Sequence, residues 1–528
     1  MKWSFNARKM WLGSLAASLV FSTGAASAQS LSNEESASPS TLSAQIAKQP
    51  SVSGDSYSRL IVFKENAFPS EAKELTSKWD DIDVEVIPEI GMVRLSSPST
   101  EKLQQAEQDV LDTFQDAIED TGGDPQLTLP KEDTGAIDSQ AALKSIQELE
   151  SSESDSKASL SQKSSSMNTM SINESATETV EESSPAEVPL YEKWGWDIKE
   201  ITGDWKSHDI QRGSRDVVIA VVDSGIDASH PDLADSIVGQ GRSFVPGIES
   251  TDDNLGHGTM VAGSISADGK LLGVGPDLGI VPYKVFDIGG ADTSWIVEAI
   301  IQASKDDVDV INLSLGTYKS LLKKDDQAAL LAYARALIYA NLKGVTVVAS
   351  SGTDGHNIGD PSVLANELGW GERELAVHAP GGLPGVITVS AYNRQHEKAY
   401  YSNYGLTDMI AAPAGDYGST WFTKGELNLA SMCLTTYPTN LPQSELSKLA
   451  ELPAGYEFMI GTSLAVPKVS ASAGVLIAEA RKQGKTLSPS QVKRALFDSA
   501  TDFGTPGKDK DFGVGGVNVY EALSRLAP

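Results

Sequence analysis

Short apolar runs at Val217–Val222, Ile280–Phe286, Val308–Leu313, Val345–Ala349 and Val386–Val389 punctuate the second half of the chain. Between them lie longer stretches with helical spacing: Gly258–Ala267, Trp295–Lys305, Asp325–Lys343 and Ser463–Lys482. The short runs are apolar without polar alternation, as expected of strands buried on both faces. Strands separated by helices predict an α/β fold, a mostly parallel sheet with helices on both faces. Ser488 before Pro489 predicts the N-cap and first position of a closing helix.

A smaller unit precedes this pattern. Arg59–Phe63 reads as a strand, Glu71–Trp79 as a helix, and Val84–Leu95 as an extended stretch. Ser99 predicts the N-cap of a second helix, with Glu101 suiting the positive end of its dipole, running to about Ile118. Residues 57–128 are therefore expected to form a small α+β unit.

Composition separates the remaining parts. Lys2, Arg8 and Lys9 precede an apolar run from Met10 to Ala26, and Ala26-Ser27-Ala28 supplies small residues for signal-peptidase cleavage after Ala28. Residues 1–28 are thus expected to be a signal peptide and 29–56, rich in Ser, Ala, Gln and Pro, a flexible spacer. Residues 129–189 are Ser-rich and acidic, expected as an exposed linker in which maturation cuts; a merely solvating composition is the alternative. Residues 190–528 are then expected to form the second, larger domain. No stretch after the signal peptide is uninterrupted and apolar enough to span a bilayer, so a secreted, extracellular protein with no stable membrane anchor is expected. The net charge of -30 argues against nucleic acid as a partner. The single cysteine, Cys433, excludes an intrachain disulfide and a cysteine metal cluster, and reads as a buried small apolar residue.

Three segments carry candidate chemistry: VVDSGID with Asp223, GHGTMVAG with His257 and GTSLAVP with Ser463. Asp223 ends an apolar run, while His257 and Ser463 follow glycines at helix starts. A serine hydroxyl needs a base to take its proton, and the base needs a carboxylate to fix its tautomer. The chain order Asp, His, Ser with these placements resembles the subtilisin-like (subtilase) family of serine endopeptidases. The resemblance spans residues 196 to 526 and includes GVGPDLGIVPYKVF, NLSLG and GVGGVNVYEAL.

That resemblance implies catalytic roles for Asp223, His257 and Ser463, with no cofactor. It implies that Ser314, Leu315 and Gly316 pair with an extended substrate backbone, and that residues 57–128 resemble an inhibitory prodomain; a structural spacer is the other reading. One departure stands out. The family's oxyanion asparagine is replaced by Thr353 within Ser351-Gly352-Thr353-Asp354-Gly355, so the side-chain donor is Thr353 or, folding back, Asn357. The short segment between His257 and Gly273 lacks the family's longer Asn-rich calcium loop, so no metal is expected there. Asp227, His230 and Asp232 match a family stretch that shapes the fold.

Leu464 and Lys468, with the entry WGWDIKEITGDWKS, resemble the lantibiotic leader peptidase branch. The partner this implies is a peptide or protein substrate such as a bacteriocin precursor. A general extracellular endopeptidase and a weakened fold that only binds peptides are the alternatives. Asp354, Asp360, Glu367, Glu372 and Glu374 suggest a basic residue before the scissile bond or, equally, a solvated acidic loop.

Overall fold

The computed structural model describes residues 57–129 and 188–526. The expected signal peptide, the spacer and residues 130–187 of the expected linker lie outside the described residues.

Alternation along the first strand governs how the N-terminal unit is used. β1 (Tyr57–Phe63) pairs antiparallel with β3 (Met92–Ser97) and β4 (Ile118–Gly123), and β2 (Asp83–Ile87) completes the order β2-β3-β1-β4. Ile61, Phe63, Val93 and Leu95 share a core with Leu103 and Val110 of α1 (Thr100–Phe114). Leu60, Val62 and Met92 belong to a separate core cluster that includes the helices of the large unit. The period-two geometry of strands thus gives the sheet a second apolar face that its own helix does not cover.

Local details differ from the expected ones. The stretch Val84–Leu95 is two strands joined by a turn in which Gly91 N–H donates to Pro88 C=O. Glu71–Trp79 is replaced by a 3-10 helix at Ser70–Ser77. Helix α1 begins after Ser99, whose side chain accepts from the Lys102 amide, but ends at Phe114. Ile118–Gly123 holds β-branched residues and two glycines, poor helix formers, and becomes β4. A short strand, β5 (Gln126–Leu127), follows.

The large unit is built on a seven-stranded sheet of order β15-β14-β12-β10-β6-β8-β7, with every pair parallel. Its strands are β6 (Val218–Asp223), β7 (Arg242–Ser243), β8 (Gly279–Lys284), β10 (Val310–Leu313), β12 (Thr346–Ser350), β14 (Ile387–Tyr392) and β15 (Ile410–Pro413). Outside it lie β9 (Ala291–Asp292), β11 (Thr317–Ser320) and β13 (Ala376–Ala379). Ile219 and Val221 pack with α2 (His257–Ser266) and α5 (Thr462–Lys482), while Ala220 and Val222 pack with α3 (Thr293–Lys305) and α4 (Lys324–Leu342). Helices on both faces explain why the strands read as continuous apolar runs. Helix α5 is long and apolar enough to cross a membrane by length and composition, but 94% of that stretch is buried inside the protein, as for a core helix.

Strand β6 has β8 on one side and β10 on the other, so the order of the chain reverses there. A crevice outside the carboxyl ends of the strands is expected at such a switch point. Asp223 ends β6 and Ser314 follows β10.

Candidate active site

The Asp223 carboxylate is fully buried. Its Oδ1 accepts from the Ser224 amide at 2.7 Å and stands 2.7 Å from His257 Nδ1. An ionised carboxylate only accepts, so Nδ1 carries the proton and Nε2 keeps the basic lone pair. Lys284 lies beneath, its Nζ donating to Ser224 C=O at 2.6 Å and Asp252 C=O at 3.0 Å. Burial lowers the ammonium's pKa, while Asp287, Asp253, Asp223 and Asp252 oppose that shift.

The start of α2 is shaped by close backbone approach. Gly256 has φ 95°, and a Cβ on Gly258 would stand 2.0 Å from Gly225 C=O. Side chains at these positions would displace the histidine from the strand end. Asp253, absent from the candidate residues read in the sequence, organises this turn. Its Oδ1 accepts from Ser224 Oγ, Leu255 N and Gly256 N, and its Oδ2 from Thr259 N and Oγ1. The signal was there: an acidic residue just before a helix, where free amides need acceptors.

Ser463 is the second residue of α5, and α5 packs against α2. Its Oγ donates to Ser314 C=O at 3.2 Å, and Ser314 Oγ donates to Ser463 C=O at 2.9 Å. Asn312 ties the same places together, donating to Ser314 Oγ and accepting from Ser470 Oγ. Leu315 is buried in the core, and Gly316 leads into β11, which pairs with β13.

Thr353 stands beside the start of α5, its Oγ1 2.6 Å from Thr462 Oγ1, which in turn is 2.8 Å from Ser350 Oγ. Asn357 is held in its own turn: its Oδ1 accepts from Gly359 N and its backbone N–H donates to Glu367. The acidic residues that follow β12 do not act together. Asp360 caps the helix Pro361–Glu367, Glu367 lies 3.3 Å from His356, and Glu374 accepts from Ser320. Asp354 accepts from Tyr318 OH, whose ring packs edge-on against His378. Burial pushes the His378 imidazole down to about 4, which keeps it neutral at pH 7.

Asp227, His230 and Asp232 have local partners. Asp227 accepts from Ser229 and Thr439, His230 Nε2 lies 2.8 Å from Gly455 C=O, and Asp232 accepts from the Lys270 and Leu271 amides. They shape turns around α2. Cys433 is buried, with Lys468 Nζ 3.8 Å from its sulfur. Lys468 is fully enclosed, paired with Asp197 at 2.7 Å and bonded to Pro413 C=O.

The N-terminal unit also contacts the large unit through its last strand. β5 pairs antiparallel with β9, setting Gln126 against Asp292 and Leu127 against Ala291. Leu127 and Leu315 lie in one apolar cluster. Asp124 accepts from the Ser294 amide and hydroxyl at the start of α3, and Thr293 donates to Pro125 C=O.

The profile of the subtilase family matches residues 214–515. The chain is 31% identical over 333 residues to the nisin leader peptide-processing serine protease of Lactococcus lactis subsp. lactis, covering 57% of this chain and 46% of that one. It is 30% identical over 356 residues to the epidermin leader peptide-processing serine protease of Staphylococcus epidermidis, covering 62% of this chain and 73% of that one. The chain therefore spans about half the length of the nisin relative. Among solved structures, a lanthipeptide protease matches with 34% identity and a TM-score of 0.58, over 64% of this chain and 96% of that one. The epidermin leader peptide processing serine protease of Staphylococcus aureus shares the fold, at 23% identity and a TM-score of 0.64, over 90% of this chain and 99% of its own. The match over more than half the chain, together with the contact between the buried Asp223 and His257, leads to one conclusion: this chain belongs to the subtilase family of serine proteases.

Proposed function

We propose that the chain is an exported serine endopeptidase that removes leader segments from precursor peptides, with residues 57–128 acting as its inhibitory prodomain. The observation that carries the chemistry is the 2.7 Å contact between His257 Nδ1 and Asp223 Oδ1. It leaves Nε2 as base on a histidine whose helix packs against the one that carries Ser463. The resting Ser463 hydroxyl donates to Ser314 C=O and must turn toward His257 before it attacks. Its oxygen then forms the acyl bond, His257 takes the proton, Asp223 stabilises the imidazolium, and the proton passes to the leaving amine. The Ser463 amide at the start of α5 and the Thr353 hydroxyl stabilise the oxyanion, where preorganised donors act most strongly.

Ser314–Gly316 receives the substrate as an added extended strand. The pairing of β5 with β9 supports the inhibitory reading, because it holds the last strand of the N-terminal unit on the large unit. Leader peptides as substrates are supported by the nisin and epidermin relatives and by Leu464 and Lys468 in the serine segment.

The test is incubation of the purified full chain with lanthipeptide precursors and with an unrelated unfolded protein, read by mass spectrometry. Cleavage at the leader junction at least tenfold faster than in the unrelated protein is expected, with none by Ser463→Ala. Equal cleavage of both would favour a general extracellular endopeptidase.

A further inference from the structure

Strand β3 brings Arg94 to the seam between the N-terminal sheet and the large unit. The side chain is buried, with Asp83 at 3.6 Å, Glu85 at 3.7 Å, Asp124 at 3.5 Å and Asp292 at 3.7 Å. Its Nε has no hydrogen-bond partner among the described residues. A fifth carboxyl group, Glu298 of α3, lies near enough to Glu85 across the seam to raise its pKa, and Arg242 of β7 holds Glu298 from the other side at 3.2 Å. Lys319 of β11, buried near Asp124 and Asp326, is the third cation here. The seam is over-acidic: these five carboxylates, with Asp326 beyond them, face Arg94, Arg242 and Lys319. Two carboxyl groups sharing a site favour a state in which one of them holds a proton.

We propose that this seam is a proton-sensitive latch: the N-terminal unit docks with a proton shared between Glu85 and Glu298, and opens more readily as that proton is lost. The inference rests on the reading of residues 57–128 as an inhibitory prodomain and adds what regulates its release.

Other contacts across the seam do not depend on this proton. Arg335 pairs with Glu119, Lys305 with Glu89 and Arg59 with Asp325, while Leu60, Val62 and Met92 bury apolar surface. The latch therefore adjusts the strength of docking without being its sole support. Burial, reinforced by Glu298, pushes the Glu85 carboxyl up to about 9. Burial and the neighbouring Asp124 push Asp292 up to about 7. Undocking returns both to water and to the usual carboxylate range near 4. A value raised in the docked state gives docking that is strongest below the free value and is lost as pH rises through the docked one. One proton changes the opening constant by up to tenfold per pH unit, so Glu85 alone allows roughly a hundredfold between pH 6 and pH 8.

The experiment uses the full chain carrying Ser463→Ala, followed by amide hydrogen exchange at pH 6 and pH 8 and corrected for intrinsic exchange. The probes are β5, β9 and the Ser294 amide, which donates to Asp124. Opening at these amides should rise at least about a hundredfold across the interval, and by no more than about tenfold, the share left to Asp292, in Glu85→Gln and Glu298→Gln. Protection within β1 and α1 reports that each variant is folded, and the two variants test the same proton from opposite sides. A flat profile in the parent, or an unchanged slope in both variants, overturns the latch. Failure of the peptidase reading is seen separately, as a Ser463 that does not react in the unmodified chain, and leaves this slope untouched.

Discussion

Replacing Thr353 by valine keeps the β-branched shape and removes one hydroxyl. In the resting structure that hydroxyl shares a hydrogen bond with Thr462 at 2.6 Å, so its loss from the ground state costs only about 1 kcal/mol of stability. In the proposed oxyanion role the same hydroxyl donates to a developing anion, and a hydrogen bond to a charged group contributes about 1.5–3 kcal/mol. At about 1.4 kcal/mol per tenfold, kcat should fall roughly 10–150-fold. KM should move less than about twofold, because the interaction strengthens only as the charge forms. Thr353→Asn should raise kcat, since its longer side chain places a donor further toward the oxyanion; the gain should stay below the roughly 10²–10³ attached to losing such a donor outright. Asn357→Ala should leave kcat unchanged, because it is the Thr353 hydroxyl that stands 2.6 Å from Thr462, the neighbour of Ser463. The assay is steady-state hydrolysis of a fluorogenic peptide by the processed enzyme. An unchanged kcat in Thr353→Val with a large loss in Asn357→Ala would refute this reasoning and move the role to Asn357.

Three further outcomes are expected. Lys468→Met leaves Asp197 buried without its partner and should cost about 3–5 kcal/mol in urea unfolding, much of it recovered by adding Asp197→Leu; equal stability of the single variant and the parent would contradict this. Burial works to raise the Asp227 carboxyl, but hydrogen bonds from Ser229 and Thr439 outweigh it and hold the group below its ordinary value. Asp227→Asn should therefore be less stable than the parent near neutral pH, with the gap closing as pH falls below about 4 toward the folded value; a gap independent of pH would count against it. EDTA should change the hydrolysis rate little, because the proton transfers use His257 alone and the carboxylates of Asp227 and Asp232 are occupied by local donors; rapid inactivation reversed by calcium would show the opposite.

The sheet was legible because burial on both faces writes its strands as continuous apolar runs, and Val217–Val222 lies within one residue of β6. β7 escaped notice because two residues carry no pattern, and β15 because Ile-Ala-Ala-Pro is short and ends in a residue that cannot donate to a ladder. The segments around Asp223, His257 and Ser463 were readable because each packs its glycines and functional residue into one short stretch. What surrounds them was not. Asp253 acts through Ser224 and Thr259, and Lys468 through Asp197, which lies far away in the chain. The acidic residues from Asp354 to Glu374 looked like one group on paper, but folding sends them to a tyrosine, a helix cap, a histidine and a serine.

The central claim is that His257 activates Ser463 as the nucleophile. The processed protein should be treated with a serine-directed fluorophosphonate and the adduct located by peptide mass mapping. The account predicts one stoichiometric adduct on the peptide containing Ser463, absent in Ser463→Ala and slowed at least about 10³-fold in His257→Ala. An unmodified Ser463, or equally fast labelling without His257, would contradict it.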